Sequence, residues 1–158
     1  YFVFNEETQK KILNEIIYLS KNYKINVIPS RRTHLGLLKK LDVIKSDSII
    51  PFDKLFNPKG YGDLLSKAKF HIVTWDSISM ISEAIFSESS TFVYSFENRD
   101  CPKRYQNFYK SIIDKNLAKF YSRNLTTFNV SLHAYNKELK TKILNKIESH
   151  LWFRSDAS

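Results

Sequence analysis

Phe70-His71-Ile72-Val73-Thr74-Trp75-Asp76-Ser77-Ile78-Ser79-Met80-Ile81-Ser82-Glu83-Ala84-Ile85-Phe86, followed shortly by Thr91-Phe92-Val93-Tyr94-Ser95, decides the fold. Phe70–Thr74 and Thr91–Ser95 are short and nearly continuous in apolar character, as strands buried on both faces of a parallel sheet are. Ser77–Phe86 lies between them and has one apolar side at the helical period. Strand, helix and strand at this spacing imply a right-handed βαβ crossover.

The same alternation extends outward in both directions. Tyr1–Phe4 predicts a short strand, and Asn5-Glu6-Glu7-Thr8 supplies the acceptor and acids favoured where a helix begins. That helix is expected to run to about Asn22, with Ile12, Leu13, Ile16, Ile17 and Leu19 as its buried stripe. Ile25–Pro29 predicts a strand, Ser30-Arg31-Arg32-Thr33 a loop, His34–Leu41 a short helix, and Ser48–Pro51 a strand closed by its proline. Asn57-Pro58-Lys59-Gly60-Tyr61-Gly62 is the densest turn signal, and Asp63–Lys69 is expected to be helical. Beyond the central stretch, Pro102–Asp114 carries Tyr105, Phe108, Tyr109 and Ile112 on one face, and Leu139, Ile143, Ile147 and Leu151 recur in a final helix. The fold class is α/β, a Rossmann-like open parallel sheet with helices on both faces. Ligands of such sheets sit beyond the carboxyl ends of the strands, which selects the loops 29–34, 51–63, 74–79 and 96–103.

With 158 residues and 12 Phe and 9 Tyr against 3 Gly and 4 Pro, the chain can fill one core, and residues 1–158 are expected to form a single domain. Cys101 is the single cysteine, so no intrachain disulfide can form and a reducing compartment fits. His34, His71, His133 and His150 lack metal-ligand spacing, and no metal or cofactor is expected. No apolar run approaches the ~20 residues of a membrane span. The expected location is the cytoplasm, with a peripheral place on the inner membrane left open by the basic surface. The net charge of +9 is spread along the chain, in Lys10, Lys11, Lys39, Lys40, Lys67, Lys69, Lys137, Lys140, Lys142 and Lys146 among others. That spread favours a solvated basic surface, with acidic lipid headgroups as a weak partner, over a nucleic-acid-binding face.

Within the central stretch, Asp76, Ser79 and Glu83 fall on one side of the helix and Ile78, Ile81 and Ile85 on the other, at roughly 100° per residue. The polar side begins at a helix N-terminus, where backbone N–H groups and the dipole favour a phosphate. Glu83, two turns in, is placed to accept hydrogen bonds from the hydroxyls of a ribose. The alternative reading is an amphipathic helix capped by Asp76 or Ser77, with Glu83 merely solvated. No nucleophile elbow, Walker loop or dinucleotide fingerprint is present. Cys101 precedes a helix among basic neighbours, yet no histidine is evidently paired with it, and it reads as inert.

Val73–Ala84 resembles the signature block of the mitochondrial-fission "elongated mitochondria" family, plant and bacterial proteins similar to GT-B glycosyltransferases, whose bacterial members carry the label of nucleoside-diphosphate-sugar epimerases. Val27–Thr33 resembles that family's strand ending in Ser-Arg-Arg-Thr, and Asn57–Leu65 its loop-to-helix block. Lys103–Tyr109 and Asn116–Phe120 are similar to two later stretches. The chain departs from the pattern at Glu88-Ser89-Ser90-Thr91, where the family has a Gly-Lys-Pro turn, and at Tyr109, Asn116 and Lys119, which replace His, Gly and Arg.

The resemblance implies the C-terminal half of a GT-B fold that holds a sugar nucleotide, such as a UDP-sugar, as substrate. Glu83 would bind the ribose, and Ser77, Ser79 and Ser82, beside Asp76, would meet phosphate or sugar. Arg31 and Arg32, between Ser30 and Thr33, would offset the charge of the leaving diphosphate. The chain opens on Tyr1 rather than Met and without the family's preceding Gly-Gly loop, so an N-terminal acceptor domain is expected to be missing and catalysis in isolation is not expected. The plant relatives' role in organelle division implies the alternative of a non-enzymatic interaction or scaffold protein with a protein or membrane partner.

Overall fold

The computed structural model describes residues 2–53, 57–97, 99–130, 132, 141 and 145. The chain divides into two compact units, Tyr1–Tyr61 with Phe96–Asp100, and Gly62–Ser95 with Cys101–Ser158.

In the first unit, α1 (Glu6–Ser20) begins where Asn5 caps it, its Oδ1 accepting from the Thr8 amide at 2.9 Å, with Glu6 and Glu7 complementing the dipole. It stops two residues before Asn22, the terminus the sequence predicts, and of the expected stripe Ile17 stays 38% exposed while Ile12 and Leu19 are buried. Thr8 and Gln9 are buried beside them and send hydrogen bonds back to the carbonyls of Val3 and Phe4. The predicted strand at Tyr1–Phe4 is not formed among the described residues. Phe2 makes an isolated bridge, the Val3 amide donates to the Glu97 carbonyl at 2.9 Å, and Phe2 and Phe4 set their rings edge-on against Phe96. Aromatic packing, more than a ladder, holds this segment.

β1 (Ile25–Val27) pairs in parallel with β2 (Ile49–Pro51), Ile25 opposite Ile49. β1 is shorter than the predicted Ile25–Pro29, because Pro29 has no amide to give. α2 (Leu35–Val43) follows His34, whose Nδ1 accepts from the Gly36 amide at 3.1 Å.

α3 (Pro58–Lys67) runs across the division between the units and begins at Pro58, not at Asp63 as the sequence reading has it. The turn-like residues are the helix start itself. Asn57 Oδ1 accepts from the Gly60 amide at 2.9 Å, and proline suits the first helical position. A Cβ on Gly60 would press on the Asn57 carboxamide, so the capping side chain would have to shift.

The second unit carries β3 (Phe70–Thr74), α4 (Ile78–Phe86), β4 (Ser90–Tyr94), α5 (Lys103–Asp114) and β5 (Ala118–Phe120). The three strands form one parallel sheet in the order β3-β4-β5, with Ile72 opposite Phe92 and Phe92 opposite Lys119. β4 is central and buried from Ser90 to Val93, as predicted, but β3 lies at an edge and leaves Ile72 38% exposed. β5 is a strand the sequence reading misses. Ile81, Ala84 and Ile85 of α4 are at most 1% exposed and, with Tyr105, Tyr109 and Ile112 of α5, supply much of the core.

At the amino end of the strands, the Ser90 hydroxyl donates to the Phe128 carbonyl at 3.0 Å and accepts from the Phe128 amide at 2.9 Å. This side chain thereby substitutes for a ladder pair and holds the 122–130 segment to β4. His71 is buried with Nε2 at 3.0 Å from both the Leu65 carbonyl and Ser87 Oγ. Because Ser87 donates to the Ala84 carbonyl at 2.6 Å, Nε2 is assigned the proton. Burial lowers the His71 pKa from its ordinary value, and the Leu65 hydrogen bond opposes part of that. The final helix predicted around Leu139, Ile143, Ile147 and Leu151 lies outside the described residues. The parallel pairing and the alternation of elements make the chain a Rossmann-like α/β protein.

Candidate functional site

The turn from β3 into α4 is held at Trp75 through both its amide and its carbonyl. The Trp75 amide donates to the Tyr94 carbonyl at 3.1 Å, extending the ladder one residue past β3. The Trp75 carbonyl accepts from the Tyr109 phenol of α5, and the two rings lie 5.8 Å apart at 33°. Asp76 follows, 6% exposed, and Ser77 takes the N-cap position of α4 with φ −118° and ψ 82°.

Ser77 makes no side-chain cap hydrogen bond. Of the two caps the amphipathic reading offers, this one is not made, and the first-turn amides lack a cap from it. Ser79 and Glu83 are half-buried on successive turns, while Ile81 and Ile85 are buried on the opposite side. The segregation of faces follows the sequence reading, with two differences. Asp76, placed on the polar side, and Ser82 are buried, and the Ser82 hydroxyl donates to the Ile78 carbonyl at 2.8 Å. That back-bond commits its proton and leaves only oxygen lone pairs for another partner.

The other predicted group lies in the first unit, just after β1. The Ser30 amide donates to Thr33 Oγ1 at 2.8 Å, the Thr33 amide to the Ser30 carbonyl at 3.1 Å, and the Arg32 amide to Ser30 Oγ at 3.1 Å. Ser30 and Thr33 thus shape the loop, and Arg31 and Arg32 stand exposed on it. Each group is assembled within its own unit, Ser30–Thr33 in the first and Asp76, Ser77, Ser79, Ser82 and Glu83 in the second.

Sequence reasoning misses the aromatic support of the turn. Tyr94 ends β4 and its ring lies 5.4 Å from that of Tyr121, whose amide donates to the Val93 carbonyl at 2.8 Å. Tyr109 is legible as part of an apolar stripe, and a buried tyrosine needs a partner for its hydroxyl, but nothing in the sequence says that the partner is Trp75. In the loop after β4, Cys101 is half-buried and its carbonyl accepts from Gln106 Nε2 at 2.8 Å. Among the described residues no three His, Cys, Asp or Glu side chains gather where they could hold a metal ion, and no helix is long and apolar enough to cross a membrane.

These features define a Rossmann-like α/β protein with a strand-to-helix turn as its candidate site. Residues 1–146 match the family described as Mitochondrial fission ELM1, and the chain belongs to that family. No curated protein and no solved structure matches it.

Proposed function

We propose that this chain is the sugar-nucleotide-binding part of a GT-B-like glycosyltransferase. The observation that carries this reading is the β3–α4 turn, where a parallel strand delivers a helix start with no cap from Ser77 and, two turns on, a half-buried carboxylate on the same side. Amides at a helix start favour phosphate oxygens, and a carboxylate at the distance of Glu83 suits the paired hydroxyls of a ribose. Ser77 and Ser79 are the hydroxyls nearest that start, Ser82 offers acceptor capacity alone, and Asp76 lies buried beside them. Arg31 and Arg32 supply guanidinium groups suited to a diphosphate, on a loop already fixed by Ser30 and Thr33.

Titration with a nucleoside diphosphate and its sugar conjugate tests this. Glu83→Gln keeps shape and removes charge, so affinity is expected to fall by about 1–3 kcal/mol with little change in melting temperature. Unchanged affinity in that variant, where the parent binds, would remove the ribose assignment. Transfer of sugar is expected only with an acceptor domain, and turnover by these 158 residues alone would overturn that division of labour.

The family's description favours a second reading, an interaction or scaffold role in organelle or membrane division. Retention of that role by a Glu83→Gln variant that has lost nucleotide binding would favour it.

A further inference from the structure

We propose that Tyr109 is a positioning residue for this site, setting the path of the Trp75–Ser77 turn and through it the angle at which α4 starts. The inference rests on the nucleotide-binding reading above. Trp75 is the last residue held by the β ladder, through its amide to the Tyr94 carbonyl at 3.1 Å, and its carbonyl begins the peptide unit that leads into Asp76. That carbonyl accepts from the Tyr109 phenol. Trp75 is therefore held through its preceding peptide unit by β4 and through its following one by α5, so both planes that flank its Cα are fixed.

Further contacts strengthen the assignment. Tyr109 is 6% exposed, its ring lies 5.8 Å from that of Trp75, and Phe108 and Tyr105 stand against it at 5.6 and 6.5 Å. A phenol so enclosed has little freedom to reorient, so it acts as a fixed strut. Without its hydroxyl the Trp75 carbonyl loses this donor, and the turn relaxes through ψ of Trp75 and φ of Asp76, the torsions on either side of the planar peptide bond. A phosphate held by amides of the first turn of α4 would feel that change directly, whereas a ribose at Glu83, two turns further along a helix anchored by the buried Ile81 and Ile85, would feel it far less.

The test is Tyr109→Phe, which keeps the ring. Affinity for a nucleoside diphosphate is expected to fall about five- to tenfold, the effect of one lost hydrogen bond, while affinity for the matching nucleoside stays the same. Amide exchange over residues 75–80 is expected to quicken in the same variant, with β5 unchanged as the internal control. Tyr105→Phe, which removes a neighbouring phenol, is expected to leave both affinities as they are. Exchange over 75–80 that does not change, or equal loss for nucleoside and diphosphate, would overturn the positioning role and leave the nucleotide reading standing. A parent that binds no nucleotide would overturn both.

Discussion

Glu88 is exposed just past the C-cap of α4, with φ at 61°, and its amide donates to the Ile85 carbonyl at 2.9 Å. The resemblance expects a glycine turn here, and the backbone shows why. A residue with a Cβ in the left-handed region costs roughly 1–2 kcal/mol, and a carboxylate at a helix carboxyl end adds about 0.3–1 kcal/mol of unfavourable interaction at low salt. Glycine relieves both but gives back about 0.4–1 kcal/mol through the freer unfolded chain. Glu88→Gly is therefore expected to stabilise the protein by about 1 kcal/mol, a rise of about 2–4 °C in a chain of this size. Asn116 provides the comparison. It has φ 54° after α5, and the amides of Asn116 and Leu117 donate to Ile113 and Ile112 in the two bonds of a Schellman motif. Asparagine tolerates that conformation, so Asn116→Gly is expected to gain less. Urea unfolding of both variants measures the difference. A loss of stability in Glu88→Gly, or a larger gain at Asn116 than at Glu88, would refute the strain argument.

His71 is held neutral by burial, whereas in the unfolded chain it takes up its proton near 6.5. Stability from this group is thus complete above that pH and falls as pH drops toward the lower folded pKa, so melting temperature should decline from pH 7.5 to 5.5 with a shallower slope in His71→Gln; equal slopes would sink the idea. Ile81→Ala, at a fully buried position, should cost about 2–5 kcal/mol of folding free energy and leave nucleotide affinity alone, the reverse of Glu83→Gln. Ser90→Ala removes both hydrogen bonds to Phe128 and should destabilise by about 1–3 kcal/mol in denaturant melts, and a neutral result would mean that the 122–130 segment is not anchored there.

The β3–α4–β4 unit is legible in the sequence because its signals are local. Apolar runs mark the strands, and isoleucines at the helical period mark the buried side of α4. The start of α3 is not legible, since Asn57 and Pro58 serve a turn and a helix cap equally well and only the Asn57–Gly60 hydrogen bond decides between them. β5 is hidden by its length and by Lys119 at its centre, whose ammonium lies 4.6 Å from the Phe128 ring centroid, so the charge sits over an aromatic face. At the candidate site, the polar side of α4 follows from spacing alone. The burial of Asp76, the back-bond of Ser82 and the Tyr109 contact do not. The last of these spans 34 residues of sequence, and no local pattern encodes a pairing that only the packing of α5 against the sheet creates.

The missing Ser77 cap has an energetic side as well. The loss of an N-cap serine's hydrogen bond costs a helix about 1 kcal/mol, a penalty that would matter in an isolated helix of this length. Here Ile81 and Ile85 are each at most 1% exposed, and full burial of such side chains contributes about 1.5–3 kcal/mol apiece. Packing of the apolar side therefore more than offsets the lost cap, and α4 stays folded whichever partner its first amides find. Because stability is drawn from one side of the helix and the proposed binding groups lie on the other, variants on the two sides separate the two properties.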